Sequence, residues 1–148
     1  MAWQGWRSIT ASSEHDGAAV YQLRLTDANG NPISISRFLS TDDRGILNIG
    51  ESQYMETRRR AFVTAMETCT GHSAGNLLYY LLKFSRYAKC FPNHQIEYRF
   101  RAQADKASAR LAEERLIKKY VRRFGEVPPL NSAIPNRYGN WAPPQKNR

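Results

Sequence analysis

Residues 18–50 read AAVYQLRLTDANGNPISISRFLSTDDRGILNIG, and this stretch decides the fold class. Val20, Leu23 and Leu25 give a strand over about 18–26 its apolar weight. The run Asp27-Ala28-Asn29-Gly30-Asn31-Pro32 is a turn, because Asn and Gly tolerate positive φ and Pro presets the φ that follows. Ile33, Ile35 and Phe38 then alternate with Ser34, Ser36 and Arg37, the pattern of a half-buried returning strand. After a loop over 40–45, Ile46-Leu47-Asn48-Ile49 reads as a third short strand ending at Gly50. Three short strands in succession predict one small antiparallel sheet.

Beyond Gly50 the period becomes helical. Ser52 can cap a helix whose apolar positions are Met55, Phe62, Val63 and Met66, and which stops between Cys69 and Gly71. Arg58, Arg59 and Arg60 are consecutive, so they point in three directions and cannot all serve one site. A second helix starts at about Ser73 and carries Leu77, Leu78, Leu81, Leu82 and Phe84, with Tyr79, Tyr80 and Tyr87 as core and rim. From His94 to Arg101, Ile96, Tyr98 and Phe100 alternate with Glu97, Arg99 and Arg101, a strand with one apolar and one charged face. Asp105 caps a last helix that buries Leu111, Leu116, Ile117, Tyr120 and Val121 and ends at Phe124 before Gly125.

The order β-β-β-α-α-β-α predicts an α+β domain: a small three-stranded antiparallel sheet flanked by helices, with 94–101 able to add an edge strand. Residues 1–17, which hold Trp3 and Trp6, form an N-terminal arm; 18–131 form the domain; 132–148 run as an extended tail anchored by Tyr138 and Trp141. The 148 residues, 41% of them hydrophobic, suffice for one core. No apolar run approaches a membrane span, and the first residues do not read as a signal peptide. Cys69 and Cys90 make no disulfide scaffold and, with His15, His72 and His94, no zinc spacing. The expected compartment is the cytoplasm.

Charge points to a ligand class. Lys and Arg number 22 against 13 Asp and Glu, a formal net charge of +9, and the excess lies wholly beyond residue 52. Such a field attracts polyanions, and basic residues spread over globular helices suit nucleic acid better than an anionic membrane. Arg59, Arg60, Lys118, Lys119 and Arg122, together with Arg58, are the candidate contacts. A basic protein that occupies an acidic protein surface is the competing class.

Glu113 and Glu114 are the only acids inside the last helix. Glu114 is spaced for an i,i+4 pair with Lys118. Glu113 borders the buried face; its spacing suits equally a salt bridge to Arg110 or Arg115 and a divalent ion bridging carboxylate and phosphate. Tyr21, taken alone, is a core tyrosine. His72, before Ser73 at a helix start, could act as a base but has no partner legible in the sequence.

In order, these residues resemble the GIY-YIG nuclease superfamily. Ala19-Val20-Tyr21 stands for the first signature tripeptide and Asn48-Ile49-Gly50 for the second; Arg58 opens the following helix, Glu113 precedes Leu116-Ile117, and Pro128-Pro129-Leu130-Asn131 matches a terminal Pro-x-x-Asn element. The resemblance spans 18–131. It implies metal-dependent phosphodiester hydrolysis of nucleic acid, DNA before RNA, with one Mg2+ or Mn2+ ion. Tyr21 would generate or position the nucleophile, Arg58 would stabilise charge on the phosphate, Glu113 would hold the metal and Asn131 would brace the site. Asn48 replaces the second tyrosine; it can hydrogen-bond to water or phosphate but supplies no phenolate. That replacement carries the alternative, a catalytically degenerate module that binds nucleic acid or protein.

Overall fold

β2 (Ala19–Thr26) runs through the sheet's interior in the computed structural model, which describes residues 1–84, 86 and 95–137. The described elements are β1 (Arg7–Ser8), β2, β3 (Ile35–Ser36), β4 (Thr41–Asp42), β5 (Ile46–Ser52), α1 (Met55–Thr68), α2 (Ser73–Phe84), β6 (Gln95–Ala102) and α3 (Lys106–Phe124). Tyr87, Cys90, His94, Tyr138 and Trp141 lie outside the described residues.

The expected three-stranded sheet is corrected by this topology. The main sheet has four strands in the order β1-β6-β2-β5, all antiparallel, and a separate two-stranded ribbon pairs β3 with β4. A strand has only two edges, and both edges of β2 are taken. β5 pairs along one, with Tyr21 opposite Gly50; β6 pairs along the other, with Tyr21 opposite Phe100. The stretch 33–38 therefore finds no edge. It touches β2 only at its end, through the Thr26–Pro32 bridge and the Ile33 N–H bonded to the Leu25 carbonyl. Pro32 brings no N–H with which to extend that pairing. The segment expected as an added edge strand is thus internal, flanked by β2 and by the arm, whose β1 supplies the true edge.

Alternation sorts the faces. Tyr21, Leu23 and Leu25 share one face with Phe100, Tyr98 and Ile96, and pack under Met55 and Phe62 of α1 and Ala74 and Leu78 of α2. On the other face Ile46 and Ile49 meet Ile117, Tyr120 and Phe124 of α3. Gly75 lets α1 and α2 approach closely: a Cβ there would stand 2.6 Å from the Ala65 Cβ and 2.9 Å from the Phe62 carbonyl oxygen.

The cap of α1 differs from the expectation. Ser52 ends β5 and turns onto Tyr54, so the first amides of the helix are met by the arm: Met55 N–H by the Gly17 carbonyl, Thr57 N–H by Asp16 Oδ1 at 3.2 Å. Asp105 does cap α3, accepting from Ser108 N–H at 2.7 Å, and Gly125 ends it in the left-handed region. The chain beyond α3 seals the free edge of β5. Leu130 N–H bonds to the Leu47 carbonyl, and the Asn131 amide both accepts from Ile49 N–H and donates to its carbonyl, each at 2.9 Å. No helix among the described residues is long and apolar enough to cross a membrane.

Candidate functional site

Tyr21 sits where β2 passes beside Gly50, and the phenolic end of its ring lies against that glycine. A Cβ at Gly50 would stand 2.4 Å from both Cζ and Oη of the tyrosine. Gly50 has no positive φ, so contact alone demands a glycine here. The hydroxyl reaches His72 Nε2 at 3.2 Å, and the Phe62 ring meets the imidazole edge-on. His72 immediately precedes α2, and its Nδ1 receives the Gly75 N–H at 3.3 Å. An amide N–H can only donate, so Nδ1 is the unprotonated nitrogen and Nε2 carries the hydrogen. Nε2–H therefore donates to Tyr21 Oη, and the phenolic hydrogen is left for another acceptor.

Burial, with the nearby Arg58 charge, lowers the His72 pKa to about 4, which keeps the ring neutral at physiological pH. The Tyr21 hydroxyl is pushed well above the ordinary phenol value by burial; Arg58 opposes the shift, and Glu113 and Glu51 add to it. Arg58, in the first turn of α1, is exposed and lines one small cavity together with Tyr21.

Glu113 comes from α3 on the far face of the sheet. Burial raises its pKa, Arg137 opposes the rise and Glu51 adds to it. Arg137 Nη1 stands 3.3 Å from Glu113 Oε1, while Arg110, one of the two partners that spacing suggested, stands 3.8 Å from Glu51 instead. Glu51, next to Gly50, adds a like charge near the Glu113 carboxylate and has a buried Oε2 with no hydrogen-bond partner. Among the described residues no group of three His, Cys, Asp or Glu side chains could hold an ion. Glu113 and the orphaned Glu51 Oε2 are the groups that would hold a divalent cation if one binds here.

The chain matches no protein-family profile, no curated protein and no solved structure.

The candidate residues fall into two groups. Arg58 shares a cavity with Tyr21, and His72 bonds the Tyr21 hydroxyl, whereas Glu113 pairs with Arg137 on the α3 side of the sheet and acts on Tyr21 only through its charge; Asn131 braces β5 one residue from Gly50. Asn48 shares the face of Tyr21 but is only 5% exposed, and its Oδ1 has no partner. The basic candidates do not form one surface. Arg59 is folded inward onto Glu56 and the Ile9 carbonyl, and Arg60 stands exposed 3.5 Å from Glu56. On α3, Lys118 lies 3.5 Å from Glu114, the expected i,i+4 pair, whereas Lys119 and Arg122 are exposed. Sequence reasoning discounted His72 and overlooked Glu51. A histidine directly before a helix start was the available sign for the first, and the position after Gly50 for the second.

Proposed function

We propose that this chain binds nucleic acid, DNA in preference to RNA, and hydrolyses its phosphodiester bonds with one Mg2+ or Mn2+ ion in the cytoplasm. The observation that carries the reading is the Tyr21 hydroxyl held by His72 beside a cavity that Tyr21 shares with Arg58, with the Glu113 charge of α3 acting on it from the other side of the sheet. The order of these residues along the chain, which resembles that of GIY-YIG nucleases, supports it further. His72 holds Tyr21 Oη from one side, so the phenolic O–H is directed to a water or a phosphoryl oxygen. Arg58 places a fixed positive charge where the phosphate gains negative charge during attack. Glu113, with Glu51, would hold the ion, which when bound lowers the pKa of a coordinated water and neutralises the phosphate. Asn131 keeps Gly50, and with it the tyrosine ring, in register.

The test is cleavage of labelled linear, branched and single-stranded DNA and RNA in Mg2+ or Mn2+, comparing wild type with Glu113→Ala. The variant is expected to lose most turnover and to keep most binding, because the lost ligand acts on the transition state more than on the basic footprint. No cleavage of any substrate, or equal cleavage by the variant, refutes the assignment. A second reading, a module that binds nucleic acid or an acidic protein without cutting, is favoured by one pair of observations: Tyr21 and Asn48 are each only 5% exposed. It predicts binding by both proteins and turnover by neither.

A further inference from the structure

On the sheet face opposite Tyr21, α3 covers β5 and β2 but leaves the outer side of β6 open. Two adjoining cavities, of about 190 and 380 Å3, run along this gap and share Leu116 and Lys119 in their walls. Arg44, Arg99, Lys119 and Arg123 line the first; Arg101 and Arg115 join Lys119 in the second; no Asp or Glu lines either. Of these six cations only Arg44 has a carboxylate within 4 Å among the described residues, Asp42 at 3.7 Å. The sequence explains the crowding. The charged side of β6 projects Arg99 and Arg101 into the gap, and α3 turns its basic positions toward them from the other wall.

The arm organises these side chains. Arg101 lies over Trp3 at 5.1 Å, Arg99 over Trp3 at 4.5 Å and over Trp6 at 4.8 Å, and Arg24 over Trp6 at 4.2 Å, so guanidinium and indole groups interleave. Gln22 Oε1, itself buried, accepts from Arg99 Nε at 2.9 Å and fixes that side chain further. Stacking occupies the flat faces of a guanidinium and leaves its in-plane N–H edges free, and those edges match phosphate oxygens. Burial and the neighbouring Arg44, Arg24 and Arg101 charges lower the pKa of Arg99, a cost that a bound anion would remove.

We propose that this groove is a second nucleic-acid site, which holds successive backbone phosphates of a DNA duplex on the α3 side of the sheet, opposite the Tyr21 ring. A groove with unpaired cations in both cavities and on both walls suits a regularly spaced polyanion better than a single small anion. The inference rests on the reading that nucleic acid is the ligand, and is independent of whether that ligand is cut.

The test uses the full chain, EDTA to stop cleavage, and a fluorescent duplex of about 20 base pairs titrated at a series of salt concentrations. The triple variant Arg115→Gln/Lys119→Gln/Arg123→Gln removes three exposed groove charges. A control triple, Lys83→Gln/Arg86→Gln/Lys106→Gln, removes the same charge elsewhere. Each lost phosphate contact lowers the slope of log affinity against log salt by about 0.9, so the groove variant is expected to lose roughly 2–3 and the control close to none. Equal losses in both variants mean diffuse attraction, and no loss in either means no contact; both overturn the groove. Binding to phosphatidylserine vesicles with none to the duplex overturns it as well. A groove-specific loss in a protein that cleaves nothing leaves the groove standing and removes the hydrolytic reading. Cleavage without that loss does the reverse.

Discussion

Gly50→Ala isolates the contact on which the candidate site is built. The new Cβ would stand 2.4 Å from Cζ and Oη of Tyr21 and 2.9 Å from Cε2, against an ordinary contact distance of 3.4–4 Å. The ring must therefore retreat by about 1 Å, and its hydroxyl, now 3.2 Å from His72 Nε2, leaves hydrogen-bond range or drags the imidazole with it. Overpacking of this kind costs about 1–3 kcal/mol, which in a chain of this length lowers Tm by roughly 2–12 °C. A reacting group displaced by 1 Å costs on the order of 100-fold in rate, so under the proposed hydrolytic reading phosphodiester cleavage should fall by about that factor. Calorimetry on the four proteins of a double-mutant cycle with Tyr21→Ala provides the check. Once the ring is gone, Gly50→Ala should be neutral or slightly stabilising, since glycine in a strand is itself unfavourable by roughly 0.5–1 kcal/mol. An equal cost in both backgrounds would show that something other than Tyr21 demands the glycine, and the reasoning would fail.

Glu56→Gln should lower the urea midpoint by the equivalent of about 3–5 kcal/mol with an unchanged m value, because Arg59 then stays buried without its counter-charge while Ser13 loses a strong acceptor. The hydrogen bonds from Arg59 hold the Glu56 carboxyl far below the usual range. Its contribution to stability should be complete above the unfolded carboxylate pKa and disappear as pH falls from there toward the depressed folded value, which a pH series of denaturation curves reads directly. His72 acts in a higher window. Its folded pKa of about 4 lies below the unfolded 6.5, so the unfolded chain takes up the proton first and stability falls as pH drops from 6.5 to 4; His72→Asn should flatten that part of the profile.

Local pattern carried much of this structure into the sequence. The alternation of Ile96, Tyr98 and Phe100 marked a strand and its buried face, Asp105 and Gly125 marked both ends of α3, and Glu114 was spaced for Lys118. Pairing was not legible, because the side-chain period of a strand says which face is buried and nothing about which neighbour it takes. The two-residue ribbon of β3 and β4 and the internal place of β6 both follow from competition for the edges of β2, a property of the whole chain. The same limit applies to the site. Tyr21, Arg58 and Glu113 stood out by type and order, whereas His72 gained meaning only when Gly75 N–H fixed its tautomer and Tyr21 was found beside it. The counter-charges were equally hidden: Glu56 claims Arg59, and Arg137, in a stretch expected to be an extended tail, reaches Glu113.

The place of β2 between β5 and β6 also sets the order in which this chain can mature during synthesis. β2 and β5 are close in sequence and can pair early, but the other edge of β2 waits for residues 95–102, and β1 has no partner before then. Asn131 must emerge later still before it can close the outer edge of β5. For much of translation the nascent protein thus displays a half-built sheet with open hydrogen-bonding edges, a template for pairing with other chains. Contacts between distant parts of the sequence also slow folding, since a long loop must be closed before they return any stability. Refolding should accordingly be slow and sensitive to protein concentration, and truncation before residue 95 should yield aggregates where truncation after Arg137 yields a closed sheet.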